Sequence, residues 1–341
     1  MVTQPPMSGF MTSATGIMCR RNSGRFAPER LAGVVMTINR REFSKLTMGA
    51  GALLATAGPQ AVAGSDTLLR KAIPSSGEEI PIVGVGTNRY GVGDDAELRA
   101  PLKAALRKFH ELGGTVVDTA PGYRTSEVVL GDLTSELGIV DDLFMATKVD
   151  VEGGAESARR MERSLSNLQR PSMDLMQVHD FIGWQDSIPL MQDWKQAGRI
   201  RYIGITTSRV NQYDVMEQVM REHELDFIQV NYSLANQRTA AERLLPLAAD
   251  RGMAVLVNRP FGGGGVFKAL SQAAMPGWAA DYDVSSWAQF LLKFVVSHPA
   301  VTCAIPGMTK ARHVEDNFGA AEGALPTARA RRQMETFFDA L

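Results

Sequence analysis

The sequence predicts an α/β fold, a single (β/α)8 TIM barrel preceded by an N-terminal β-hairpin. Eight short apolar, β-rich runs recur along the chain, amphipathic segments separate them, and several runs end abruptly in an ionisable residue. Regular strand–helix alternation predicts parallel βα units. In a closed barrel of such units, residues at the carboxyl ends of the strands face one shared pocket.

The strand-like runs are Pro81–Gly86, Thr115–Thr119, Leu143–Val149, Met173–His179, Tyr202–Thr206, Phe227–Asn231, Ala254–Asn258 and Val301–Pro306. Between them, Ala96–Leu112, Glu156–Leu168, Val210–His223, Ala240–Arg251 and Ser286–Ser297 carry apolar residues at helical spacing. Upstream, Leu69–Ile73 and Glu79–Pro81 flank Ser75-Ser76-Gly77, which predicts a hairpin placed to close the barrel floor. An open doubly wound sheet is the competing topology, because Gly84-x-Gly86 with Gly91 and Gly93 invites a dinucleotide-fold reading. That fingerprint needs its third glycine to open a helix directly after the strand, and Asn88-Arg89-Tyr90 interpose turn chemistry.

The first 63 residues read as a leader and residues 64–341 as the barrel. Asn39-Arg40-Arg41-Glu42-Phe43-Ser44-Lys45 precedes a weakly apolar stretch, Leu46 to Ala57, and a small-residue site at Ala61-Val62-Ala63. The pattern resembles a twin-arginine export signal, with translation starting at Met1 or at Met36. It implies passage through the twin-arginine translocase and a periplasmic location after cleavage of a cytoplasmic precursor. Removing seven of the 36 Lys/Arg and two of the 37 Asp/Glu with the leader leaves a net charge of −6. Such a charge favours solubility and gives a nucleic-acid partner no electrostatic support. Only Cys19 and Cys303 are present, and with the leader removed no intrachain disulfide can form.

Asp118, Tyr123, Lys148 and His179 follow three successive runs and converge in a barrel. Asp, Tyr, Lys and His together suggest proton chemistry. Singly, Asp118 is a turn cap, Lys148 a surface lysine and His179 a core histidine; jointly, at neighbouring strand ends, they make an active site. The five histidines are scattered with no metal spacing, and no Gly-x-Ser-x-Gly elbow appears, so a metallohydrolase and a serine hydrolase are both disfavoured. Phe261-Gly262-Gly263-Gly264-Gly265 follows the seventh run, where barrels commonly bind phosphate, and Arg259 just before it is a candidate pyrophosphate partner. Tyr90, Trp184 and Trp278 fall after the first, fourth and seventh runs and are candidate walls of a substrate pocket.

From Gly84 to Gly319 the chain resembles the aldo-keto reductases. The resemblance rests on Gly84-Val85-Gly86-Thr87, Asp118-Thr119-Ala120 with Tyr123, Glu127 and Gly131, Thr147-Lys148, His179-Asp180 and Ile203-Gly204-Ile205. It implies a nicotinamide-dependent oxidoreductase interconverting a small carbonyl and its alcohol by hydride transfer, with Tyr123 as general acid and base. Lys148 would lower the phenol's pKa, Asp118 would hold Lys148, and His179 would orient the carbonyl. It also implies nicotinamide contacts from Gln229 and from Thr206 and Thr207, which replace the family's frequent Ser-Asn, and an adenine contact from Asn317. Asn258 stands at the nicotinamide where many members have the stacking Tyr, for which Phe261 or another aromatic substitutes. The position after the seventh run makes Arg259, Gly262 and Gly263 the phosphate candidates. The family's frequent Lys and Arg of the adenosine-phosphate segment fall on Gly307 and His313, while Lys310 and Arg312 are in reach of a 2′-phosphate, which favours NADP(H) modestly over NAD(H). Export makes a firmly retained cofactor and a redox partner outside the cytoplasm the natural corollaries. The alternatives are a nicotinamide-binding sensor module and a redox-neutral enzyme acting on a sugar-like substrate.

Overall fold

The protein is described here from a computed structural model, which covers residues 68–235 and 238–341. The leader reading, with Met36, lies outside the described residues. Strands β3 (Val85–Gly86), β4 (Val116–Asp118), β5 (Phe144–Val149), β6 (Met173–His179), β7 (Ile200–Thr207), β8 (Phe227–Asn231), β9 (Ala254–Asn258) and β10 (Cys303–Ala304) form one parallel sheet. The sheet closes: Gly84 N–H donates to Ala304 O at 2.8 Å, Ala304 N–H to Ile82 O at 2.9 Å, and Gly86 N–H to Pro306 O at 3.0 Å. The barrel prediction therefore holds, and the open doubly wound alternative fails because β3 and β10, the two ends of the eight-stranded sheet, meet each other.

The first predicted strand divides. Pro81 belongs to β2 (Glu79–Pro81), which pairs antiparallel with β1 (Arg70–Ala72), while β3 begins only at Val85. This hairpin seals the barrel floor. Ile73 and Ile80 pack into the interior with Phe144, Tyr202 and Phe227, whose rings lie 5.5–5.9 Å apart. Cys303 is buried in the same cluster, and burial pushes its thiol pKa up, so it is inert packing.

Helices α1 (Ala96–Glu111), α2 (Ser126–Leu137), α3 (Gly154–Asn167), α4 (Trp184–Gln196), α5 (Tyr213–Glu222), α6 (Leu244–Asp250), α7 (Val266–Leu270), α8 (Trp287–Val296), α9 (Ala311–Phe318) and α10 (Ala328–Asp339) follow in chain order. Asp95 starts α1 by accepting from the Glu97 and Leu98 amides at 2.9 and 3.1 Å. Gly131 lets α2 meet the end of α3, since a Cβ there would stand 2.2 Å from Asn167 O. Buried Glu127 on α2 accepts from Thr147 Oγ1 at 2.6 Å and from Asn167 Nδ2 at 3.2 Å, which ties α2 to the strand carrying Lys148.

Candidate active site

A cavity of about 850 Å³ opens where the strands end, lined from β3, β4, β6, β7, β8 and β9 and from the segment directly after β10. Asp118, the last residue of β4, is 2% exposed, and Lys148 on β5 is wholly buried beside it. Lys148 Nζ donates to Asp118 Oδ1 and Oδ2 at 2.9 and 2.8 Å and to Thr119 O at 2.6 Å. Tyr123 closes a turn, its amide donating to Ala120 O at 3.0 Å, and the loop after β3 packs on it so tightly that a Cβ at Gly91 would stand 2.3 Å from Tyr123 O. Lys148 Nζ lies 5.3 Å from the Tyr123 ring centroid. His179 meets that ring edge-on at 6.4 Å. The predicted tetrad is thus assembled, three members lining the cavity and Lys148 behind them.

The electrostatics differ in one respect from the expectation. Lys148 is the strongest single influence on the Tyr123 phenol and lowers its pKa, but burial and the charges of Asp118 and Asp180 outweigh it, so the phenol stands above its ordinary value. Burial opposes the charge on Lys148, yet Asp118 and Tyr123 prevail and raise its pKa, so it stays an ammonium. Burial, reinforced by Lys148, lowers the His179 pKa, leaving a neutral imidazole near pH 7.

Thr206, Gln229, Asn258, Arg259, Phe261, Gly263 and Asn317 line the cavity as predicted. Thr207, Gly262, Lys310 and Arg312 do not. Thr207 turns to the far side of β7, where its hydroxyl bonds Asp180 Oδ1 at 3.1 Å and Gln212. Lys310 and Arg312 are exposed outside the lining. The three aromatic walls are also corrected. Tyr90 is drawn into the core by its turn, Tyr90 N–H to Thr87 O at 2.9 Å, and its hydroxyl donates to Met308 O at 2.7 Å. Trp184 packs on His223 at 5.5 Å, and Trp278 on Phe290 and Phe337 at 5.8 and 6.0 Å. Asn88, Arg89, Ser208, Phe267 and Asp316 stand in the lining instead.

The wall suits a dinucleotide. Asn258 Oδ1 is buried without a partner on the lining, an acceptor waiting for an N–H such as that of a carboxamide. Gly263 and Gly264 hold φ of 96° and 89°, presenting bare backbone, and neither Arg89 nor Arg259 has an ion-pair partner among the described residues. Phe261 and Phe267, with ring centroids 5.0 Å apart, form an aromatic corner. Among the described residues no cluster of His, Cys, Asp or Glu could hold a metal ion.

Comparison with known proteins agrees with this geometry. Methylglyoxal reductase YeaE of Escherichia coli is 30% identical over 268 residues, 76% of this chain and 92% of that protein. A Klebsiella pneumoniae aldo/keto reductase solved with NADP and acetate superposes with a TM-score of 0.65 at 27% identity, over 77% of this chain and 93% of the other. Another from Klebsiella pneumoniae, solved with NADPH, gives a TM-score of 0.66 at 25% identity, over 80% of this chain and 96% of the other. The sequence pattern of the Aldo/keto reductase family matches residues 82–334, and the chain belongs to that family.

Proposed function

We propose that this oxidoreductase uses NADP(H) to interconvert a small carbonyl compound and its alcohol, with Tyr123 as the proton donor and acceptor. The observation that carries the reading is the buried Asp118–Lys148 pair set against Tyr123 and His179 at the cavity wall. A reduced nicotinamide, when bound, supplies the hydride. Asn258, Thr206 and Gln229 would hold its carboxamide end, the Phe261–Phe267 corner its ring, and Arg259 with Gly263 its phosphates. Tyr123 gives its phenolic proton to the carbonyl oxygen, the neutral His179 donates an N–H to that oxygen, and the Lys148 ammonium stabilises the phenolate left behind. In the reverse direction the phenolate takes the alcohol proton.

The Escherichia coli relative's name makes methylglyoxal the first substrate to assay, and the two Klebsiella complexes support NADP(H) as cofactor. The paired Arg40-Arg41 support export to the periplasm, where a retained cofactor and a redox partner would be needed. The test is NADPH oxidation with methylglyoxal and a panel of aldehydes by wild-type protein and Tyr123→Phe. The expected result is turnover lowered on the order of 10²–10⁴-fold in the variant, with NADPH binding kept. Equal turnover in the two proteins, or none in wild type, overturns the reading.

A further inference from the structure

The Asp118 carboxylate carries more donors than the Lys148 pair accounts for. Its Oδ1 accepts from Gln229 Nε2 at 2.7 Å, from Lys148 Nζ at 2.9 Å and from Gln177 Nε2 at 3.2 Å, whereas Oδ2, among the described residues, accepts from Lys148 alone, at 2.8 Å. One carboxylate oxygen offers about two lone-pair positions, so three donors on Oδ1 compete. The ammonium has three N–H groups. Two are sufficient for Asp118 Oδ2 and Thr119 O, its shortest contacts at 2.8 and 2.6 Å. The third is contested between the crowded Oδ1 and the Tyr123 phenol, whose ring centroid lies 5.3 Å from Lys148 Nζ.

Both glutamines compete with Lys148 for Oδ1, Gln229 from a shorter distance and Gln177 from a longer one. Gln177 is wholly buried on β6, two residues before His179 and so on the same strand face, and it is absent from the cavity lining. Gln229 on β8 is fixed from its other side, its Oε1 accepting from Thr206 Oγ1 at 2.8 Å and from Asn258 Nδ2 at 3.4 Å. Its amide nitrogen is thereby aimed at Asp118. We propose that Gln177 and Gln229 are positioning residues that share Asp118 Oδ1 with Lys148, weaken that oxygen's hold on the ammonium, and so make one ammonium N–H available to the Tyr123 oxygen. Gln229 then serves the acid–base group as well as the cofactor wall. The inference rests on the proposed role of Tyr123 as the proton-transfer group.

Near-isosteric Gln177→Met and Gln229→Met variants remove one donor each. Ultraviolet difference titration of each protein against its Tyr123→Phe counterpart isolates this phenol from the other tyrosines, without cofactor or turnover. The expected result is a phenolate midpoint moved upward, with roughly 3- to 10-fold less phenolate at a given pH, equivalent to about half a pH unit to one. The pH profile of kcat for alcohol oxidation with NADP+ should move by the same amount, and Gln177→Met should keep wild-type KM values. An unmoved midpoint in both variants, with melting temperatures near that of wild type, overturns the proposal. Should one variant fail to fold, the other decides. Absence of alcohol oxidation in wild type would instead defeat the proposed function, whereas the titration tests the glutamines by itself.

Discussion

Lys148 grips both oxygens of Asp118 at 2.9 and 2.8 Å in surroundings that leave the lysine side chain 1% and the aspartate side chain 3% exposed. Taking one partner away strands the other as a buried charge, and such losses run to about 3–5 kcal/mol. Lys148→Met should therefore lose stability on that scale as well as turnover, read by chemical denaturation beside the NADPH assay. Tyr123→Phe, half-buried at the cavity wall, should lose turnover with little change in stability. Equal stability of Lys148→Met and wild type would contradict the pairing.

Acid sensitivity should come from the far side of the barrel. Burial, then the charges of Arg331 and Lys71, lower the His298 pKa from 6.5 to about 4, and its Nδ1 accepts the Ala300 amide at 3.2 Å, which requires that nitrogen unprotonated. The unfolded chain binds this proton first. The contribution is thus complete above pH 6.5 and is lost as pH falls from there to about 4. Solvent screening of a partly exposed imidazole limits it to about 2 kcal/mol. His298→Asn, which keeps an acceptor but does not titrate, should flatten the fall in melting temperature over that range, and an identical fall would exclude His298 as its source.

The loop after β9 should depend on its glycines. A Cβ at Gly264 meets nothing within 4 Å, but φ is 89° there, so the cost of Gly264→Ala is backbone strain. At about 1 kcal/mol this weakens NADPH binding roughly 5-fold in a fluorescence titration, if the loop must hold this shape to receive phosphate. Unchanged affinity would remove the loop from the cofactor site.

Trp184→Leu and Trp278→Leu should alter stability and leave KM values alone, because both rings pack on other side chains outside the cavity lining. The expected loss for Trp278→Leu is about 2 kcal/mol, for a large aromatic only partly buried. A raised KM for carbonyl substrates in either variant would return that tryptophan to the pocket.

The strand order was legible because the barrel strands are successive apolar runs, with amphipathic segments between several of them, although the first run merged a hairpin strand with β3. The tetrad was legible for the same reason, Asp118, Lys148 and His179 lying at or next to strand ends and Tyr123 in the turn after β4. Tyr90, Trp184 and Trp278 were misread because sequence position gives a residue's place after a strand and not the direction a loop turns it. Tyr90 turns inward on a single backbone bond, Tyr90 N–H to Thr87 O at 2.9 Å, which composition does not announce. Thr207 shows the same limit within a strand, where adjacent residues face opposite ways and Thr206 takes the cavity side. Gln177 did carry a signal, since it stands two residues before His179 and shares its face, but an amide in an apolar run gives no hint of the carboxylate it meets across the barrel.

The hairpin floor has a kinetic consequence. With Ile73 and Ile80 packed against Phe144, Tyr202 and Phe227 at one end, the cavity at the other end, where the strands stop, is a well with a closed floor. What enters cannot leave through that floor. Two reactants sharing such a well follow last-in, first-out traffic: the one seated deeper binds first and departs last, and the shallower one blocks its exit while present.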